Sequence, residues 1–156
     1  MRAEYGISNR IGLGLKLGHS NYIISPEDKD TVKSITAVDF AIDFNFHLLN
    51  ANRNDLFLTL GLGVTNAKWE YQNLPGILLS SATGTGSCVT LGITDRIFFS
   101  DHVGMLLNLS YTGYNYKVTP ELSSTAKAIV GNLSYTWDID MALRGVYLGT
   151  GLAVKF

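Results

Sequence analysis

Apolar residues recur at every second position along most of this chain, and that alternation limits the possible folds more than any other feature. Successive side chains of a strand point to opposite faces, so a period of two marks strands set between two different media. Ile11, Leu13, Leu15 and Leu17 alternate with Gly12, Gly14, Lys16 and Gly18. Val38, Phe40, Ile42, Phe44, Phe46 and Leu48 alternate with Ala37, Asp39, Ala41, Asp43, Asn45 and His47. Residues 56–65, 88–94, 103–112 and 146–156 repeat the pattern. No stripe at helical spacing is sustained, and the glycines would weaken a helix. The reading is an all-β chain.

Short polar turns at Ser8-Asn9-Arg10, Asn50 to Asp55 and Ser100-Asp101-His102 alternate with longer connections. The longer ones are expected at Ser25 to Lys33, Asn73 to Gly86 and around Thr119 to Lys127. All three prolines, Pro26, Pro75 and Pro120, fall in them. Proline cannot donate to a strand ladder, so it belongs outside central strands. This alternation of short and long connections predicts an antiparallel up-and-down transmembrane β-barrel of about eight strands, seven or eight of them visible here.

The two faces differ in size as well as polarity. One is large and aliphatic; the other holds glycine, alanine, threonine, asparagine and a few charges. Charged residues make up 16% of the chain, below the soluble average of about 25%. The second face is thus too small and too weakly charged for a soluble exterior, but it fits the inside of a narrow barrel. The aliphatic face is therefore assigned to lipid. The alternating segments match the roughly 9–11 residues a spanning strand needs. Aromatic belts are expected at both interfaces. Tyr22, Trp69, Tyr71, Tyr114, Tyr116, Tyr135 and Trp137 lie near the long connections, and Phe46, Phe57, Phe98, Phe99 and Phe156 lie near the short turns or the C-terminus. The rival assignment is a soluble lipocalin-like ligand-binding barrel with its faces inverted.

The closing segment Gly145-Val146-Tyr147-Leu148-Gly149-Thr150-Gly151-Leu152-Ala153-Val154-Lys155-Phe156 resembles the last strand of bacterial outer-membrane β-barrel proteins. The opening Glu4-Tyr5-Gly6-Ile7-Ser8-Asn9-Arg10-Ile11-Gly12-Leu13-Gly14 is similar to a strand–turn–strand of the small OmpA/OmpX-like barrel family. The resemblance implies location in the bacterial cell outer membrane and contact with its lipid. It also implies insertion by the barrel assembly machinery, with Leu152, Val154 and Phe156 as the C-terminal assembly signal.

Other function classes find little support. Low charge and abundant apolar residues exclude disorder. Cys88 has no partner cysteine for a disulfide. With 12 basic against 13 acidic residues, no basic excess points to nucleic acid. Three scattered histidines and one cysteine make no metal spacing, and no cofactor is expected. His19-Ser20 could suggest a lipid-cleaving pair, but neighbours on a strand point to opposite faces. Lys16, Asp39, Asp43, His47, Arg96 and Lys155 share the inward parity and are expected to pair as a lumen polar network of structural role. Asp95 falls on the lipid-facing parity; a bulge near Asp95-Arg96 or an interfacial position would remove its cost.

Strand parity carries one more expectation. The resemblance implies that both termini and the short turns lie on the periplasmic side. Strands at 1–8, 34–49 and 87–99 then run downward toward it, and those at 11–24, 56–71 and 103–118 run upward. That leaves 128–156 as one long final downward strand, bent near Arg144-Gly145. Seven is odd, whereas bacterial single-chain barrels are even. A single domain over 1–156 that lacks an N-terminal upward strand and its signal is therefore expected. The alternative is a hairpin at Asp138 to Gly145, giving eight strands. The expected role is structural, adhesive or surface-binding through the external loops, toward a ligand the sequence does not name, and without catalysis. A lipid-modifying enzyme and a small-solute pore are the competing classes.

Overall fold

The computed structural model describes residues 1–72, 78–130 and 137–155. Seven strands among them form one antiparallel sheet in chain order: β1 (Arg2–Gly6), β2 (Ile11–Asn21), β3 (Val32–Asn50), β4 (Asn54–Tyr71), β5 (Leu79–Phe98), β6 (Val103–Leu122) and β7 (Ile139–Val154). Each strand pairs with the next, so the topology is an up-and-down meander. The sheet is open: among the described residues its order runs from β1 to β7 without a ladder joining the two ends.

Two of the short turns share a local device. The Ser8 hydroxyl accepts from the backbone N–H of Arg10 and of Ile11, and the Ser100 hydroxyl accepts from those of His102 and Val103. Each serine thus accepts from backbone donors where the turn enters the next strand.

The alternation decides the two faces. Ile42, Phe44, Leu60, Leu62, Leu91 and Leu109 are exposed on one face; Asp43, Thr59, Thr90, Thr94 and Thr112 are buried on the other. The buried face is concave, because its side chains meet across strands that are not neighbours. Arg2 of β1 reaches Asp43 of β3, Arg96 of β5 reaches Glu4 of β1, and Tyr114 of β6 reaches Asp39 of β3.

The structure corrects several expectations about the connections. Residues 79–86 belong to β5, not to a loop. Their serines and threonines read as loop-like, yet Ala82, Gly84 and Gly86 alternate with them and pack inward. A Cβ on Gly84 would press on the Trp69 ring, and one on Gly86 would overlap the Asn115 carbonyl oxygen. Pro120 lies in β6 opposite Ala82. There β6 has passed the last β7 pair, Val118 with Ile139, so among the described residues it runs as an edge and tolerates the missing N–H. A seven-residue helix, α1 (Ser124–Val130), departs from the all-β pattern. Ser123 caps it, its hydroxyl accepting from the Ala126 N–H at 3.2 Å.

The final strand starts at Ile139 rather than near residue 128, since α1 occupies 124–130. It continues through Arg144-Gly145 without a turn, so the hairpin reading of Asp138 to Gly145 is overturned. Asp95 stays in register between Leu56 and Leu107, with no bulge beside it. Phe156, Tyr135 and Pro75 lie outside the described residues.

Candidate functional site: the concave face

At the short-turn end, four charged or ionisable side chains close a ring. Glu4 comes from β1, His47 from β3, Asp55 from β4 and Arg96 from β5. His47 Nδ1 lies 2.5 Å from Asp55 Oδ1, and its Nε2 lies 2.9 Å from Glu4 Oε1. Arg96 donates from Nη1 to Asp55 Oδ2 at 3.1 Å and from Nη2 to Glu4 Oε2. Each carboxylate therefore bridges the imidazole and the guanidinium. Arg96 also sits over the fully buried Phe57 ring, 4.4 Å from its centroid, which adds a cation–π contact in a dry environment. Glycine makes room for the ring, since a Cβ on Gly12 would overlap the Glu4 carboxylate.

The ring holds β1 in place. β1 has β2 as its sheet neighbour and pairs with it over five positions. Glu4 adds links to β3 and β5, and Arg2 adds another, its Nε meeting Asp43 Oδ2 at 2.7 Å. The ring's nitrogens and carboxylate oxygens point at one another, so no set of lone pairs converges on a point where a cation could sit.

Above the ring the concave face is filled by small and hydroxylated side chains. Thr59 donates to Asn45 Oδ1 at 2.9 Å, and Thr90 and Thr112 bond to each other at 2.9 Å. At the long-connection end, aromatic residues take over. Trp69 meets Tyr116 edge-on at 5.7 Å, and Tyr116 stacks on Tyr114 at the same spacing. Tyr22, Tyr71 and Tyr147 pack against this group. Asp39 anchors it from below: Thr65 donates to Asp39 Oδ1 at 2.6 Å, and the Tyr114 hydroxyl reaches Oδ2 at 3.4 Å.

The expected outer aromatic belt is therefore corrected at Trp69, Tyr114 and Tyr116. They are buried inside the curve, not displayed around it. Phe57 and Phe98 at the other end are buried inward too, whereas Phe46 and Phe99 are exposed. The expected single lumen network is likewise divided. Arg96 and His47 belong to the ring, Asp43 pairs with Arg2, and Asp39 anchors the tyrosines. Among the described residues, Lys16 and Lys155 make no ion pair within 4.0 Å; Lys155 lies exposed just past β7, with Nζ 5.9 Å from the Phe98 ring centroid.

Arg2, Glu4 and Asp55 are the partners the sequence reading missed. Arg2 and Glu4 alternate with Ala3 and Tyr5, and Asp55 shares parity with Phe57 and Thr59, so the period-two signal does place them inward. His19 and Ser20 fall on opposite faces of β2, and Cys88 is buried in the aromatic group. No protein-family model, curated protein or solved structure matches the chain.

Proposed function

We propose that this chain is an integral outer-membrane β-barrel protein. Its role on this reading is structural, adhesive or surface-binding through the connections at the long-connection end, without catalysis. The observation that carries the reading is the belt on the convex face. On β3 the exposed outward residues from Val38 to Leu48 are all apolar, as are Leu58 to Val64 on β4. About ten residues at ~3.3 Å each, tilted by ~40°, give a band close to 25 Å tall. Above it the outward face becomes polar, with Asn66, Lys68 and Glu70 on β4 and Asn115 and Lys117 on β6.

A contiguous apolar surface of this extent would drive a water-soluble monomer to aggregate. A lipocalin-type barrel needs the reverse assignment, with the large aliphatic residues lining its ligand cavity. In the proposed setting, outer-membrane lipid is the partner of the belt. The assembly machinery would read the last strand, where Leu152 and Val154 face outward. The external ligand is unidentified, and the interior packing favours no large open channel.

Membrane partition tests the reading. Leu15→Arg and Ile42→Arg place a cation in the belt and are expected to block insertion, while Gly14→Ala on the concave face is milder. Purified protein that stays soluble and monomeric without detergent, or bilayer conductance like that of a large porin, would contradict the reading.

A further inference from the structure

We infer that the open side of the sheet, between β7 and β1, is a docking edge. Its occupant is a single β-strand of a partner polypeptide, running upward, from the short-turn end to the long-connection end. Three observations define this occupant.

The first is direction. All six ladders are antiparallel, so β1 and β7 run the same way. Direct closure would require a parallel pair in a sheet that otherwise contains none. A second copy of this chain in the same orientation would also bring its β1 beside β7 in parallel. One inserted upward strand is antiparallel to both edges.

The second is the unsatisfied edge itself. β7 offers 16 residues of backbone and, among the described residues, has β6 on one flank only. Two of its outward aliphatic residues are the most open of the belt: Leu148 and Leu152 are 83% exposed, against 42% for Ile42 in the central β3. Tyr5 on β1, the opposite edge, is 76% exposed. An unpaired ladder in an apolar setting leaves N–H and C=O groups without partners, and a strand is the element that satisfies them in register.

The third is room on the concave side. On β4, β5 and β6 a Cβ built at Gly63, Gly86 or Gly104 overlaps a neighbouring backbone carbonyl. On β7 a Cβ at Gly151 meets nothing within 4 Å, and one at Gly149 meets only Asn108 Cβ, at 3.9 Å. The inner face at Gly149 and Gly151 therefore has space that Gly63, Gly86 and Gly104 lack, and Gly6 on β1, the other edge, is open in the same way. The fitting occupant is a strand of roughly ten residues with apolar side chains outward and small or polar ones inward.

The inference rests on the proposed apolar setting only for the cost of the unpaired edge. Direction and room come from strand geometry, so the exchange test can fail while membrane partition holds, and the reverse. The full chain in detergent micelles is examined by amide hydrogen exchange, alone and with a synthetic peptide carrying the sequence of residues 56–65 with Phe57→Ser, an upward strand of the required pattern. A scrambled peptide that breaks the alternation is the control. The alternate β7 amides that do not bond to β6 are expected to exchange fast in the chain alone. With the 56–65 peptide they should slow by about tenfold or more. No slowing with that peptide, or equal slowing with the scrambled one, would overturn the inference. So would edge amides already protected in the chain alone, whether the chain is a monomer closed by β7–β1 pairing or a dimer.

Discussion

At the short-turn end the concave face is filled by Glu4, His47, Asp55 and Arg96; at the long-connection end it is filled by Trp69, Tyr114 and Tyr116. Both groups lie inside the same curve, and both join strands that are not neighbours. The ring works through charge and has two carboxylates that depend on one guanidinium and one imidazole. The aromatic group works through area and shape, with Asp39 at its base. The ring should therefore fail as a unit when one member is removed, whereas the aromatic group should lose stability side chain by side chain.

The largest expected effect is at Arg96. Arg96→Ala leaves the Glu4 and Asp55 carboxylates buried with His47 alone between them, and breaking a buried ion group of this kind costs about 3–5 kcal/mol. Chemical denaturation in detergent measures it. Combining it with Glu4→Gln in a double-mutant cycle should show coupling of about 0.5–3 kcal/mol. Additive effects would mean that the ring is not a unit.

Trp69→Ala should cost about 3 kcal/mol through the cavity left beside Tyr116 and Gly84. Its effect should add to that of Arg96→Ala within about 0.5 kcal/mol, because the two sites share no partner. Strong coupling between them would break the division into two ends. Gly86→Ala should cost about 1–3 kcal/mol, since the new methyl overlaps the Asn115 carbonyl oxygen and β6 must shift. Tyr116→Phe removes one hydroxyl contact to Thr65 and should cost about 1 kcal/mol, with the ring stacking on Tyr114 retained.

The same contrast shows what was legible in the sequence. The faces of the strands followed from the alternation, because each segment carries its own period-two signal, while their number stayed at seven or eight. The long connections were harder to read. Residues 79–86 look like a loop since serine, threonine and glycine dominate them, and only the Trp69 ring and the β6 backbone explain why those glycines sit in a strand. The aromatic residues were misplaced by a position argument: Trp69, Tyr114 and Tyr116 lie near strand ends, which favours an interfacial belt. Their parity with Thr65, Thr90 and Thr112 pointed inward. The ring's partners were half visible. Arg96 and His47 stand out as charges in alternating strands, but Glu4 and Asp55 sit next to turns, where charge is ordinary. Which inward charges meet depends on how sharply the sheet curls, and no local pattern encodes that.

The central claim is that the aliphatic belt on the convex face meets lipid. Site-directed spin labelling in liposomes tests it most directly, with Cys88→Ser as the background. Single labels at Leu60→Cys, Leu91→Cys and Leu109→Cys, and at Lys68→Cys and Lys117→Cys above the belt, are compared for collision with oxygen and with a water-soluble nickel complex. The account predicts that the three belt labels favour oxygen and are shielded from nickel, while the two lysine positions favour nickel. Belt labels as open to nickel as the lysine positions would contradict it.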